Sequence, residues 1–406
     1  MHLYIGIDWS LKKHDAVFMN DAGATVLYLP FPHSADGLAY FDAARQKLGV
    51  QPDACVVGIE TAHSLLIDFL WDRSYSSIYI IPPSVTKANR SRFSSSGAHD
   101  DQRDATVLAD TLRTDRSRLH PWAPDTKRTR QLRAQVGLHM FLTRDVVRLS
   151  NRLQSLLLRY YPAALVVFSD LTAQITLAFL QAYPTPAAAQ ALSYTDFVAF
   201  AHQHRYPRPK TLPECYRRLQ TPQPQATPDT VAVYEKQMQH VAQLLLTVVL
   251  AKKTAGDELD TIFADHPDRD LYLSLPGAGA FLAPALAAKL GEERARFPTA
   301  ASVQTLAGTC PVTEKSGKVV WIHFRWACDH EFRDIAQKWA YSSLRDSAWA
   351  TTYYSQQMAH GASKSRACRC LANRWLAILW HLWQTKQMYD EAYHLHDVTE
   401  RMRPRR

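Results

Sequence analysis

The sequence has few of the features that mark secreted, membrane-spanning or disulfide-stabilised proteins. Its six cysteines are scattered, with no CxxC pair and no histidines at zinc-finger spacing, so we expect reduced and mostly buried thiols in a cytosolic protein. Cys368 and Cys370 give only a weak metal-ligand signal. The first residues lack the charged start and long apolar core of a signal peptide. The longest apolar runs, 163–168 and 244–251, are too short to cross a bilayer.

Glycine-rich phosphate loops of the Walker type are also absent, which argues against a sugar kinase or chaperone-like ATPase. Acidic residues are fewer than basic residues. Lys and Arg number 47 against 38 Asp and Glu, and the isoelectric point is about 9.2, which suggests an anionic partner. A basic protein without such a partner stays possible on composition alone. The 406 residues exceed one hydrophobic core, so we expect two or three domains.

The first eighty residues alternate between strand and helix patterns. Strands are predicted at residues 3–8, 15–20, 25–29, 54–59 and 77–81, with a hairpin turn at 21–23. Helices are predicted at residues 34–48 and 64–72. A three-strand meander followed by strand and helix alternation forms a mixed sheet with helices on its faces, in the order of a ribonuclease H-like fold.

Four acidic residues occupy the ends of these elements. Asp8 ends the first strand, Glu60 follows the strand at 54–59, and Asp101 and Asp104 open a helix at 101–110. Residues three apart on a helix lie on one face, and both strands enter the sheet from the same edge, so we expect the carboxylates to converge. A hard cation would neutralise them, which predicts a two-metal phosphodiester site. Helix capping and polar strand ends are the alternative.

Residues 84–100, rich in Ser, Arg and Lys, are predicted to form a loop, which acts as a solvated linker or positions a nucleic-acid strand. Asp100 lies one helical turn before Asp104, which leaves open whether Asp100 or Asp101 would bind metal.

The middle of the chain has a helical pattern. Long helices are predicted at residues 125–160 and 230–263, forming an antiparallel hairpin or a dimerisation arm, with shorter ones at 169–182 and 194–204. A proline-rich connector at 207–228 is the best candidate domain boundary. The first long helix carries a basic stripe that is either a solvated face or a phosphate track: Arg133, Arg144, Arg148, Arg152 and Arg159.

The last part of the chain contains two short motifs before its helices. Pro276-Gly277-Ala-Gly279 precedes a helix at 281–290 and is typical of either a helix-hairpin-helix or an ordinary turn. Ser316 is predicted in a turn between Lys315 and Lys318, before a strand at 319–324. It is either a surface residue or a nucleophile whose lysines hold a phosphate. Helices follow at 329–349 and 366–384, with core tryptophans, then a basic, frayed tail at 401–406.

These motifs occur in an order that resembles one family. They are Gly6-Ile-Asp8, Ile59-Glu60-Thr-Ala, Asp101-x-x-Asp104-Ala105, Pro276-Gly-x-Gly279, Ala307-Gly308-x-x-Pro311 and Ser316-Gly317. Together they resemble the DEDD-type insertion-sequence transposases, serine recombinases guided by a bridge RNA and related to pilin-gene invertases. The resemblance covers residues 1–115 and 270–350.

The resemblance implies three domains and a short tail. These are a RuvC-like domain at 1–122, a helical or coiled-coil region at 123–266, a mainly helical transposase domain at 267–390 and a basic tail at 391–406. In the first domain, Asp8, Glu60, Asp101 and Asp104 would be catalytic and bind Mg²⁺ or Mn²⁺. In the last, Ser316 would form a covalent link to DNA.

The resemblance also implies partners. A structured non-coding bridge RNA would choose donor and target DNA for cutting and rejoining, and homodimers or homotetramers would share a composite site in the bacterial cytoplasm, at the nucleoid. Candidate nucleic-acid contacts are Lys12, Arg103, Arg144, Arg148, Arg152, Gly277, Gly279, Lys315 and Lys318.

The chain departs from the family pattern in three places. His99-Asp100 stands where a lysine is usual, residues 326–333 replace the usual turn after the serine, and residues 185–228 form a long insert. The sequence alone leaves two rival functions open. One is a Holliday-junction-resolvase-like nuclease that uses water, with Ser316 structural, and the other is a non-enzymatic nucleic-acid scaffold.

Overall fold

The computed structural model describes residues 2–61, 65–90 and 100–402 and divides the chain into two compact units, residues 1–124 and 125–406. Within those described ranges, no helix is long and apolar enough to cross a membrane.

The first unit is built on one six-stranded sheet. Its strands are β1 (Leu3–Asp8), β2 (Lys13–Met19), β3 (Thr25–Pro32), β4 (Cys55–Ile59), β5 (Ser77–Ile80) and β6 (Pro121–Trp122). They lie in the order β3-β2-β1-β4-β5-β6, with β1, β4 and β5 parallel and the other pairs antiparallel. The predicted mixed sheet is confirmed and is consistent with a ribonuclease H-like fold, although β6 was not predicted because two residues carry no periodicity.

Helices cover both faces of this sheet. They are α1 (Ala35–Lys47), α2 (Leu65–Asp72), α3 (Pro83–Arg90) and α4 (Asp101–Asp115). Leu3, Ile5 and Ile7 of β1 are buried with the apolar residues of α1 and α2. Side chains alternate along a strand, so Tyr4, Gly6 and Asp8 lie on the opposite face, where α4 packs.

The prediction of a loop over residues 84–100 is wrong for its first half. Residues 83–90 form α3, because Pro83 at the first helical position has no amide hydrogen to lose there and a φ already suited to a helix. Residues 91–99 lie outside the described residues, so the rest of that prediction is not tested.

A buried charge network joins α1 to the end of α2. Asp42 and Arg45 are 4% and 5% exposed. The Arg45 Nε donates to Asp42 Oδ1 at 3.0 Å, and the Tyr75 hydroxyl donates to the same oxygen at 2.9 Å. The carboxylate therefore has hydrogen-bond partners that offset its loss of water.

Removing that carboxylate is expected to destabilise the first unit. We expect Asp42→Ala to lower the free energy of unfolding by about 3–5 kcal/mol, because it leaves the Arg45 charge buried without its partner. A urea titration of the full chain measures this loss. The matched control is Asp36→Ala, an exposed acid of the same helix, for which we expect a change below about 1 kcal/mol. Equal midpoints for the two variants would contradict the assignment.

The second unit begins with a long helical hairpin. The two long helices of the hairpin are α5 (Lys127–Tyr160) and α11 (Pro228–Ala264). Between them lie the shorter helices α6 (Ala164–Val167), α7 (Gln174–Ala182), α8 (Pro186–Gln190), α9 (Tyr194–Gln203) and α10 (Leu212–Gln220). Gln135 Nε2 donates to the Ala255 carbonyl oxygen at 3.0 Å, whereas the rings of Tyr160 and Tyr234 lie 6.4 Å apart. Helices α5 and α11 are therefore antiparallel, as one of the two sequence interpretations predicts.

The proline-rich segment 207–228 is not an extended connector. It contains α10, whose Leu212, Cys215 and Leu219 are buried in the core formed with α6 to α9. Its prolines include Pro213 near the start of α10 and Pro228 at the start of α11, positions where proline suits a helix. The division between the compact units falls at residues 124 and 125 instead.

The rest of the second unit is helical apart from one hairpin. Its elements are α12 (Arg269–Ser274), α13 (Gly279–Leu290), α14 (Ala300–Leu306), β7 (Val312–Ser316), β8 (Val319–His323), α15 (His330–Ser343), α16 (Ala348–Ala359), α17 (Lys364–Thr385) and α18 (Glu391–Met402). Trp339, Trp375 and Trp383 are fully buried in its core, which confirms the prediction of core tryptophans.

Three predictions for this region are corrected. The helix predicted at 329–349 is broken, because Ser347 caps a new helix by accepting a hydrogen bond from the Ala350 amide at 3.1 Å. The tail predicted from residue 391 begins as a helix anchored by Glu391, which accepts a hydrogen bond from the Ser347 hydroxyl at 3.0 Å. All six cysteines are free as predicted, but only Cys55 and Cys215 are buried.

Candidate functional site

The close packing of α4 on β1 positions the first group of candidate residues. A Cβ atom at Gly6 would lie 2.0 Å from the Ala105 carbonyl oxygen and 2.5 Å from the Ala109 amide nitrogen. Only glycine allows this approach. It brings the first turn of α4, which holds Asp101 and Asp104, next to the end of β1.

The carboxylates at this edge affect one another electrostatically. The pKa of Asp8 is raised from 3.8 to about 6, first by burial and then by the negative charges of Asp104, Asp101 and Glu60, in that order. Asp8, Glu60 and Asp104 are partly buried and Asp101 is exposed. The arrangement is a concentration of negative charge that disfavours ionised Asp8.

Two neighbours of this cluster were not singled out from the sequence. Arg90, the last residue of α3, donates from Nε to Asp104 Oδ1 at 2.9 Å and from Nη2 to Asp104 Oδ2 at 2.7 Å. Asp15 lies opposite Asp8 in the β1–β2 register and accepts a hydrogen bond from the Tyr28 hydroxyl. The Lys/Arg-rich sequence around residue 90 was the only available signal for the arginine.

Asp100 has a separate structural role. Its side chain caps α4 by accepting a hydrogen bond from the Gln102 amide at 3.1 Å. A carboxylate at a helix start is stabilised by this bond and by the helix dipole. The capping role distinguishes Asp100 from Asp101, which lies inside the first turn.

The chemistry of these residues fits a divalent cation, although they do not form a ready coordination cage. Their donors are all carboxylate oxygens, which Mg²⁺ and Mn²⁺ prefer, and burial together with the neighbouring negative charges raises the pKa of Asp8. Over residues 2–61, 65–90 and 100–402, no group of three or more His, Cys, Asp or Glu side chains is arranged to hold a metal ion. Arg90 already pairs with both oxygens of Asp104.

The raised pKa of Asp8 predicts a pH-dependent stability. The folded protein holds this proton up to about pH 6, whereas the unfolded chain releases it near pH 3.8. The unfolded state therefore binds fewer protons between these values, and the free energy of unfolding should fall as the pH rises through this window, by about 3 kcal/mol at most. Urea titrations in EDTA measure it, with Asp8→Asn as the reference. Identical pH profiles for both proteins would refute the assignment.

The second group of candidate residues lies on the β7–β8 hairpin. Ser316 is the last residue of β7, directly before a two-residue turn of Gly317 and Lys318, so it precedes the turn in which it was predicted. Ser316, Lys315 and Lys318 are all exposed. Among the described residues, none forms a hydrogen bond with the Ser316 hydroxyl, and neither lysine has an ion-pair partner.

The Pro276-Gly277-Ala-Gly279 motif joins α12 to α13 and has a clear packing role. A Cβ atom at Gly277 would lie 2.5 Å from the backbone of Ser342 and Ser343, and the residue has φ of +70°. The Trp339 indole donates to the Pro276 carbonyl oxygen at 3.0 Å. The turn is therefore packed against α15, and Gly277 is required there whether or not the motif binds nucleic acid.

Two family models of transposases match the parts of the chain that carry the two groups of residues. A model of DEDD-type transposases matches residues 5–162, and a second model, described as the transposase IS116/IS110/IS902 family, matches residues 269–355. Together they cover more than half of the chain.

Both models describe transposases, so the comparisons support a transposase function of the IS110 type for this chain. Its relatives agree with this. It is 29% identical over 401 residues to the mini-circle putative transposase for IS117 of Streptomyces coelicolor, covering 96% of this chain and 95% of the relative. It is 31% identical over 220 residues to the putative transposase y4uE of Sinorhizobium fredii, covering 54% and 61%. The insertion element IS110 43.6 kDa protein of Streptomyces coelicolor is 24% identical over 400 residues, covering 96% and 95%.

In this transposase, the candidate nucleic-acid residues differ in their surroundings. Lys12, Arg103 and Arg152 are exposed. Arg144 forms an ion pair with Glu331 at 3.6 Å, and Arg148 forms one with Asp145 at 3.0 Å. Exposed ion pairs of this kind are weak, so a phosphate can compete for these two arginines.

Another arginine of the predicted basic stripe is tied down within the same unit of the transposase. Arg133 donates to the Ala288 carbonyl oxygen at 2.7 Å and pairs with Asp125. It therefore anchors the start of α5, which makes it a poor candidate for a phosphate contact.

Proposed function

We propose that this transposase cuts and rejoins DNA strands through a covalent phosphoserine link at Ser316, with a divalent-metal carboxylate site and an RNA that selects the DNA. The similarity to transposases supports a DNA-processing enzyme. The observation that carries the finer proposal is the carboxylate cluster around Asp8, where burial and then the charges of the neighbouring acids raise the pKa of Asp8 to about 6.

The residues proposed to hold the cation are Asp8, Glu60, Asp101 and Asp104. Bound Mg²⁺ or Mn²⁺ would neutralise negative charge on the DNA backbone and on these carboxylates. Within the protein, Arg90 balances part of the charge of Asp104 in the absence of the cation. The packing of α4 against Gly6 keeps Asp101 and Asp104 beside Asp8.

The proposed chemistry at Ser316 is a balanced transesterification. The serine oxygen forms a bond to phosphorus, and the bond from phosphorus to one deoxyribose oxygen breaks. The serine proton leaves to a base, and the released sugar oxygen takes up a proton. Lys318, in the turn that follows the serine, would stabilise the negative charge on the phosphate, whereas Lys315 pairs with Val320 on the opposite face of the hairpin. Attack by a sugar hydroxyl reverses the step, so rejoining requires no ATP.

The proposed partners are donor DNA, target DNA and a structured guide RNA. Base pairing by the RNA would select the sequences, which leaves the protein to bind backbones through Arg and Lys. The net charge of +9 and the exposed arginines of α5 support this division of roles. A homodimer or homotetramer is proposed as the assembly.

A second candidate function follows from the surroundings of the serine. The Ser316 hydroxyl makes no hydrogen bond with another residue in the described part of the chain, and an unactivated serine is a poor nucleophile. A resolvase-like nuclease would use the carboxylates and water instead, with Ser316 as a structural residue of the hairpin.

One experiment separates the two functions. Purified protein with Mg²⁺ and its co-purified RNA is incubated with labelled supercoiled DNA, and a denaturing gel resolves the products. The proposed function predicts labelled DNA that migrates with the protein until protease is added. Cleaved DNA without any protein-linked product would support the water-using nuclease.

A further inference from the structure

The β7–β8 hairpin exposes apolar side chains that a soluble protein normally buries. Four consecutive residues of β8 are about half or more exposed: Val319 50%, Val320 51%, Trp321 47% and Ile322 71%. Exposed apolar groups of this size mark binding sites more often than inert surface. This hairpin also carries Ser316.

The strand register assigns these side chains to two faces. Ser316 pairs with Val319, Glu314 pairs with Trp321, and the intervening pair is Lys315 with Val320. Directly paired residues share a face, and alternate pairs share the same one. Ser316 and Trp321 therefore lie on one face, as diagonal neighbours about 7–8 Å apart. Ile322 lies on the other face.

The base of the hairpin is held firmly. The Phe324 ring lies between the guanidinium groups of Arg333 and Arg369, at 4.5 and 4.8 Å from its centroid. Arg325 Nε donates to the Cys310 carbonyl oxygen at 3.3 Å. The aromatic side chain of Trp321 is therefore presented from a fixed support.

The composition of the serine face favours nucleic acid over another protein chain. The apolar residues are divided between two faces, so neither forms the continuous apolar centre of a protein interface. Lys318 is exposed in the turn at the tip, and Lys315 is exposed on the opposite face. Lysine is depleted in protein interfaces. Glu314 is the acid on this face, and it lies 3.4 Å from His323, which reduces its repulsion of phosphate when the imidazole is protonated.

We propose that Trp321 stacks on an unpaired DNA base beside the phosphate that Ser316 attacks. This inference rests on the function proposed for Ser316. An indole ring stacks on any base, so the contact would hold the strand without reading its sequence. Bases in a duplex are already stacked on each other, so the site should prefer single-stranded or unwound DNA.

The test uses proteins with Ser316→Ala, which cannot form the covalent link. A short single-stranded oligonucleotide carrying 2-aminopurine reports stacking through quenching of its fluorescence, and a duplex of the same sequence is compared. Adding Trp321→Ala is expected to weaken single-strand binding about tenfold and to remove the quenching, whereas Trp321→Phe keeps most of both. Ile322→Ala, on the opposite face, is the matched control and should change neither.

Three results would overturn the inference. Unchanged affinity and quenching in Trp321→Ala would exclude stacking while leaving the proposed function intact. If Trp321→Ala leaves DNA binding unchanged but lowers the mass measured by sedimentation, this face is an interface between copies of the chain. Failure of the Ser316→Ala protein itself to bind any DNA, single-stranded or duplex, would reject both the inference and the proposed function.

Discussion

Ser316→Ala is expected to abolish protein-linked DNA and to lower strand rejoining by at least about 10⁴-fold, because no other group replaces the attacking oxygen. The hydroxyl is exposed and makes no hydrogen bond with any described residue, so its removal should not affect folding. Denaturing gels before and after protease treatment measure the adduct, and circular dichroism checks the fold.

The matched control for this prediction is Thr313→Ala. Thr313 carries an exposed hydroxyl on the same strand, but its register pairing with Ile322 puts it on the opposite face of the hairpin. Its removal should leave the adduct at the wild-type level. An adduct that persists in Ser316→Ala would show that another residue is the nucleophile. Cleavage that persists without any adduct would support the water-using nuclease.

Asp8→Asn is expected to lower DNA cleavage by about 10³-fold while making the metal-free protein more stable at neutral pH. The loss of activity follows because a catalytic metal contributes several kcal/mol, and each 1.4 kcal/mol is a factor of ten in rate. The gain in stability follows because the substitution removes a charge that burial and four neighbouring acids disfavour. Cleavage assays and urea titrations of the same preparations measure the two effects.

Opposite signs for activity and stability distinguish a functional carboxylate from a structural one. If Asp8 had only a structural role, Asp8→Asn would lower activity and stability together. The control is Asp72→Asn, an exposed acid at the end of α2, which should change neither quantity. Wild-type cleavage by Asp8→Asn would remove the carboxylate site from the mechanism, and a lower stability would contradict the electrostatic account of the cluster.

Much of the first unit could be predicted from local sequence. The signals are short-range: alternating residues in β1 and β4, and a capped start of α4. The strands, the mixed sheet and the positions of the four acids along the chain could therefore be predicted from the sequence alone. The helices α5 and α11 were predicted to within a few residues, because a long apolar stripe has an unambiguous period.

Errors arose where local composition and tertiary packing disagree. The prolines at residues 207–228 were interpreted as a linker, but burial of Leu212 and Leu219 makes α10 part of a core. The segment before α4 was predicted as a loop because it is polar, although Pro83 begins a helix there. Polar composition and proline content do not show which residues find apolar partners.

The sequence by itself determined most of the elements, the positive charge and the candidate acids and serine, because these depend on residue type and on spacing within a few turns. Tertiary structure alone decided that α4 packs on Gly6, that Arg90 pairs with Asp104, and that Trp321 shares a face with Ser316. Each of these depends on the register or packing of separate elements. Such contacts are set by the shape and burial of the whole unit, which no local pattern encodes.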